Sequence, residues 1–144
     1  MSNILFESLN DFRLHDEGYL DQWLSGIILS EGKELGELSY FFCSDDYLLA
    51  LNMEHLDHDT YTDIITFDYC EGDVVHSDIF VSTDRVKENA ETNNVSFEEE
   101  LHRVMVHGIL HLLGQGDKTE AEALEMKIKE NASLKTRPKS LLSD

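Results

Sequence analysis

The stretch Ser96-Phe97-Glu98-Glu99-Glu100-Leu101-His102-Arg103-Val104-Met105-Val106-His107-Gly108-Ile109-Leu110-His111-Leu112-Leu113-Gly114-Gln115-Gly116-Asp117 carries a fold signal and a chemical one. Ser96 followed by Glu99 is a capping box, so a helix opens here. Leu101, Val104, Met105, Gly108 and Leu112 recur at helical spacing, which predicts a central helix with a buried face, running to about residue 113. His107 and His111 are four residues apart, so both imidazoles lie on one face and can reach a single metal ion. Gly114 and Gly116 end the helix and turn the chain back, which lets Asp117 approach the same ion. Two histidines and a carboxylate, with one position open to water, is the ligand count of a catalytic metal site rather than a closed structural one. Asp117 has a second reading, as a helix cap near Thr119.

Other segments are arranged around this one: Leu51-Asn52, Thr62-Asp63-Ile64-Ile65-Thr66-Phe67, Asp78-Ile79, the stretch from Val86 to Ala90, Glu100-Leu101 and Met126. Taken with His-Gly-x-Leu-His-Leu-x-Gly and a ligand type six residues past the second histidine, they resemble the YbeY family of bacterial metal-dependent endoribonucleases over residues 35–130. The resemblance implies a single-strand-specific, metal-dependent endoribonuclease that matures the 3' end of small-subunit ribosomal RNA and serves ribosome quality control. Its partners would be single-stranded or ribosomal RNA and the ribosome or its small subunit, with no DNA. It implies one Zn2+ per chain, held by His107, His111 and Asp117.

Two positions depart from the family pattern. Where Asp117 stands, the family usually has a third histidine. A carboxylate ligates at nearly the same distance. Its negative charge lowers the ion's Lewis acidity and raises the pKa of bound water. It also hardens the site, so Mn2+ or Fe2+ competes better with Zn2+. The second departure is Leu56, at the position where family members carry an arginine thought to help with RNA. His55 and His58 lie beside it, either as ordinary loop histidines or as partial substitutes. Asn52, Thr62, Asp63, Thr66 and Asp78 match recurring family positions. Asp63 and Asp78 are candidates to hydrogen-bond the free ring nitrogen of a ligand histidine; for Asp63 a backbone contact in a turn weighs equally.

A chain of 144 residues is about one domain on a prior of roughly 150 residues per domain. With 41% hydrophobic residues it can bury a real core. No apolar run is long enough to span a bilayer, and Met1-Ser2-Asn3-Ile4 has no basic region before an apolar core, so no membrane partner and no secretory signal are expected. Cys43 and Cys70 lack CxxC spacing; buried free thiols are the favoured reading and a disulfide the other. These features together point to the cytoplasm. The net charge of -19 argues against a simple nucleic-acid binder, because phosphate contacts come from Lys and Arg. No basic residue lies between Glu34 and Asp84, whereas Lys118, Lys127, Lys129, Lys135, Arg137 and Lys139 all come after Asp117. If RNA is the substrate, a metal and a few local cations must do most of the phosphate recognition. The acidic excess reads equally well as a solubility feature.

Periodicity predicts a short strand at residues 4–6, an amphipathic helix over 16–30 stopped by Gly32, and a strand over 38–43. Ser44 caps a helix through Leu51. The next strands span 63–69 and 75–81, joined by the turn-rich Cys70-Glu71-Gly72-Asp73. Ser82 or Thr83 caps a helix to about Glu91, and Thr119 to Glu122 is a second capping box, opening a last helix to about Asn131. The fold class is α+β, a single layer of about four mixed strands with helices packed on it and the metal motif on a central helix. Residues 1–132 form one domain, and residues 133–144, which contain Pro138, form a mobile tail. His76 and His102 read as solvated. His102 lies about 140° around the helix from His107 and should not share its site.

Two rival functions fit the same residues. One is another metal-dependent hydrolase, including a peptidase; the H-E-x-x-H pattern places its general base between the histidines, and Gly108 cannot serve. The other is a non-catalytic ribosome-assembly factor with a structural metal, which Leu56 and the acidity favour.

Overall fold

Four strands form one mixed sheet in the order β1-β2-β4-β3. The computed structural model describes residues 4–56 and 62–142, with Leu56 placed by its backbone alone. The elements are β1 (Ile4–Ser8), α1 (Glu17–Ser30), β2 (Glu34–Cys43), α2 (Asp45–Leu56), β3 (Ile64–Asp68), β4 (Val74–Ser82), α3 (Thr83–Asn93), α4 (Phe97–Leu112), α5 (Glu120–Leu134) and a 3-10 turn (Lys139–Leu141). β1, β2 and β4 run parallel, and β3 turns back antiparallel on β4. This is the α+β layer expected from the sequence.

The alternation of β4 sorts the two faces. Val75, Ile79 and Val81 point into the main core with Leu38, Tyr40 and Phe42 of β2, where α1 supplies Leu20, Leu24 and Ile28, and α4 supplies Leu101, Met105 and Ile109. Phe80, facing the other way, joins Ile65, Phe67, Leu48 and Leu51 in a smaller cluster under α2. α4 is the central helix. From Glu100 to Leu110 only Arg103 and His107 escape full burial, because the sheet, α1, α3 and α5 all close on it. The Tyr40 hydroxyl donates to the Met105 carbonyl at 2.7 Å, which ties the middle of α4 to β2.

Caps form where small polar residues precede the helices. Ser44, Ser82, Ser96 and Thr119 each accept a backbone N–H of the first turn, satisfying donors that the helix itself leaves unpaired. The reciprocal capping box is complete at Thr119 and Glu122; for α4 the Ser96 half is formed. Cys43 and Cys70 are free thiols.

The boundary drawn at residue 132 falls inside α5, and the residues after it contact the body as far as Leu141, which is buried in the main core. The Trp23 indole donates to the Ser133 carbonyl at 2.9 Å and to Thr136 Oγ1 at 3.0 Å, and Arg137 pairs with Glu99 at 3.0 Å. His102 is not solvated. It is 5% exposed, lies edge-on against Trp23, and its Nδ1 accepts from Arg137 Nη1 at 3.0 Å. His76, half-buried, accepts the Glu37 backbone N–H on Nδ1 at 2.9 Å. No helix among the described residues is long and apolar enough to cross a membrane.

Burial, with the Arg137 charge beside it, pulls the His102 pKa down from 6.5 to about 4. Between those values the unfolded chain holds a proton that the folded one does not, so stability falls as pH falls through this window. The loss should reach on the order of 3 kcal/mol by the bottom of the window. Urea denaturation at a series of pH values should show this slope in the wild type and a shallower one in His102→Gln.

Candidate metal centre

His107 and His111 lie one turn apart on the solvent-reaching side of α4, with their rings 4.6 Å apart and nearly perpendicular. The turn after α4 brings the third group back. The helix closes with Gly114 N–H on the His111 carbonyl at 3.0 Å and Gln115 N–H on the Leu110 carbonyl at 2.9 Å. This is the paired closure that needs a residue of positive φ between its two bonds; Gly114 supplies it at φ 102°. The buried Gln115 then donates through Nε2 to the Gly116 carbonyl at 2.9 Å, pinning the turn. Asp117 Oδ2 ends 3.5 Å from His107 Nε2 and 3.4 Å from His111 Nε2.

Those separations decide how the three groups are related. They are longer than the roughly 2.7–3.2 Å of a good N–H···O hydrogen bond. They match the edge of a tetrahedron whose ligands sit about 2.0–2.2 Å from a shared ion, which is roughly 3.3–3.5 Å. All three donor atoms lie within 4.8 Å of one another, and this is the one His/Cys/Asp/Glu group of such spacing among the described residues. The two nitrogens and one carboxylate oxygen are therefore suited in type and spacing to one divalent cation. His111 and Asp117 reach solvent, which leaves a side open. The capping role considered for Asp117 is filled by Thr119 and Glu122, whose Oε1 takes the N–H groups of Lys118 and Thr119.

The far side of His107 is held by a residue that no motif in the sequence singles out. Glu130, on α5, places Oε2 2.6 Å from His107 Nδ1, and its Oε1 accepts from Arg103 Nη1 at 2.9 Å. Burial alone would lower the His107 pKa, but the Glu130 hydrogen bond and the charges of Glu130, Asp63 and Asp117 carry it above its usual value. Burial would raise Glu130, and His107 and Arg103 outweigh it, holding the carboxyl below its usual range. One sequence signal does point to Glu130: it lies four residues from Met126 and four from Leu134, both buried on α5.

The other expected neighbours divide between two places. Asp63 lies near enough for its charge to act on His107, but its carboxylate is met by Asn89 Nδ2 at 3.4 Å and not by a ring nitrogen. Burial raises its pKa, and the nearby His107 charge opposes this. Asp78 alternates with the core-facing Ile79, so it faces the α2 side of the sheet and does not serve either histidine. His55 packs edge-on against Phe67 on that same side. Thr62 closes on the Ile64 carbonyl at 3.3 Å, and Asn52 is buried in α2. His58 lies outside the described residues, as does the Leu56 side chain.

A cleft of about 490 Å³ opens beside the three groups, lined among others by Arg103, His107, Asp117, Met126, Lys127 and Glu130. A second, more apolar cleft of about 530 Å³ lies between α1 and α5 around Trp23 and Ile27; it lacks a converging set of ionisable groups, so the chemistry belongs to the first.

The fold and this geometry agree with what the chain is similar to. The family model described as "Endoribonuclease YbeY" matches residues 10–137. A protein of Flavobacterium psychrophilum named endoribonuclease YbeY is 51% identical over 125 residues, covering 87% of this chain and 89% of that protein. Its namesake in Flavobacterium johnsoniae is 50% identical over 134 residues, covering 93% and 95%. The solution structure of TM1509 from Thermotoga maritima superposes with a TM-score of 0.61 at 29% identity, covering 91% of this chain and 88% of that one. The chain belongs to the YbeY endoribonuclease family. The match extends well beyond residues 35–130, into α1 and the docked C-terminal segment.

Gly114→Ala tests the turn that delivers Asp117. An L-residue in this left-handed region costs about 1–2 kcal/mol. Thermal denaturation of the metal-free protein should show a loss of that order, whereas Gly18→Ala, on an open face of α1, should show none.

Proposed function

We propose that this protein is a single-strand-specific, metal-dependent endoribonuclease of the cytoplasm, acting in 3' end maturation of small-subunit ribosomal RNA and in ribosome quality control. Hydrolysis of RNA phosphodiesters follows from the family, which is metal-dependent. The observation that carries the site is the convergence of Asp117 Oδ2 on both histidine Nε2 atoms at 3.4 and 3.5 Å. In this reading His107, His111 and Asp117 hold the ion. When bound, a divalent cation supplies Lewis acidity, neutralising charge on the scissile phosphate and lowering the pKa of a water. The chain's own groups do the rest. The open side of the trio admits the phosphodiester. Lys127, exposed at the cleft, is the nearby cation for a flanking phosphate, since the Arg103 guanidinium is occupied by Glu130 and Asn131. With Asp117 in the set, Zn2+ is the expected ion, and Mn2+ or Fe2+ competes better than at a three-histidine site.

Gly108 counts against the peptidase alternative. It faces Ile64 and Ile79 across a packed interface, so no general base stands between the histidines.

A labelled single-stranded RNA incubated with metal-loaded protein should be cleaved, and cleavage should disappear in His111→Ala and in chelator. Cleavage that survives the substitution would place the activity elsewhere, and metal binding without cleavage would support the assembly-factor reading. Because few cations face the cleft, the plot of log affinity against log salt should be shallow, no steeper than about -2 on the single-strand relation of roughly -0.7 per phosphate contact. Asp117→His should shift preference toward Zn2+ over Mn2+ in a competition titration.

A further inference from the structure

An imidazole that ligates through Nε2 must carry its proton on Nδ1, and whatever accepts that proton sets the ring's tautomer and orientation. For His107 the acceptor comes from a helix outside the motif. Glu130 is 8% exposed and sits 2.6 Å from His107 Nδ1 through Oε2. Its second oxygen is taken by Arg103 Nη1 at 2.9 Å. Arg103 lies one turn before His107 on α4, and its Nη2 donates in turn to Asn131 Oδ1 at 2.7 Å. Arg103 pairs with one oxygen of the buried carboxylate, which leaves the other free to accept from the His107 ring. Both Glu130 oxygens are engaged away from Asp117, so the carboxylate is also kept from competing as a ligand.

We infer that Glu130, clamped by Arg103, is the positioning residue of the metal centre: it holds His107 as the Nδ1–H tautomer with Nε2 turned toward His111 and Asp117. The inference rests on the reading of His107, His111 and Asp117 as metal ligands, and adds to it the residue pair that presets the first ligand before any ion arrives. It also makes α5 part of the site, since its Glu130–Asn131 pair reaches across to the Arg103–His107 turn of α4.

The test is Zn2+ affinity, read by competition with a chromophoric chelator, for the wild type, Glu130→Ala, Glu130→Gln and His111→Ala. The thermal midpoint of each chelated protein is measured beside it, and the histidine ring nitrogens are followed by NMR. Glu130→Ala should bind Zn2+ roughly 10–100-fold more weakly, the usual range for losing such a partner. Glu130→Gln keeps an oxygen acceptor and should recover part of that loss, although it breaks the pair with Arg103. A purely structural Glu130 would lower the midpoint of both variants without separating their affinities. In the wild type the His107 proton should sit on Nδ1, and in Glu130→Ala it should shift toward Nε2. If Glu130→Ala is too unstable to titrate, Glu130→Gln decides by its affinity, which is expected to stay below that of the wild type. Wild-type affinity in either folded variant, or a His107 proton that stays on Nδ1 in Glu130→Ala, overturns the inference while leaving the metal reading intact. A wild type that binds no Zn2+ overturns both.

Discussion

Gly108 sets how closely α4 lies on the sheet. A Cβ at this position would meet Ile64 Cδ1 at 3.0 Å and Ile79 Cδ1 at 3.3 Å, tighter than ordinary packing allows. The Tyr40 hydroxyl fixes the rotation of the helix from the same side, through the Met105 carbonyl. With α1, α3 and α5 closing on the other sides, α4 has one stripe left for solvent, and Arg103, His107 and His111 occupy it at successive intervals of four. A rotation of one residue would bury a histidine and expose a core side chain. The histidine pair thus points outward because the rest of α4 has no other way to pack.

The remaining ligand depends on a different physical fact, the geometry of a helix end. Gly114 allows the chain to leave α4 in a left-handed turn while both closing hydrogen bonds form. Gln115 is buried beneath it, and the Thr119–Glu122 box starts α5 at once. Between two such constraints Asp117 has little freedom, and its carboxylate is brought to the two imidazoles. α5, launched from the same turn, lies back along α4 and delivers Glu130 to the opposite nitrogen of His107. One short connection therefore builds both sides of the site.

Much of this is legible in the sequence, and what is not has physical reasons. The helices are marked by their caps and apolar periodicity, and the His107, His111 and Asp117 spacing by helix geometry ahead of a glycine-rich end. Glu130 escapes notice because a charged residue on an otherwise polar helix reads as solvated; only its phase with Met126 and Leu134 places it inside. Asp63 and Asp78 are candidates through the family resemblance, but a strand presents alternate residues to opposite faces, and that puts Asp78 on the α2 side. His102 reads as solvated because its burial depends on Trp23 and Arg137, more than thirty residues away on either side, and no local pattern reports such contacts. The docking of the segment after Asn131 likewise depends on distant partners, Trp23 and Glu99.

The charge of the chain sets the character of the site. An acidic protein that acts on RNA cannot rely on a broad basic surface, and the structure places carboxylates on both sides of the histidine pair: Asp117 at the ligand face and Glu130 behind, with Asp63 near enough for its charge to act on His107. Since Glu130 is paired with Arg103, Asp117 is the carboxylate that draws a cation to the ligand face and would repel a polyanion until that cation is bound. Everything proposed for the site turns on one ion occupying the space between His107 Nε2, His111 Nε2 and Asp117 Oδ2. A crystal structure of the metal-loaded protein, with the ion located by its anomalous scattering, would reveal whether it does. A single peak bonded to these three atoms is expected, with Glu130 on His107 Nδ1 and not on the ion. An ion bound elsewhere, or with Glu130 in its coordination sphere in place of Asp117, would contradict the proposed metal centre.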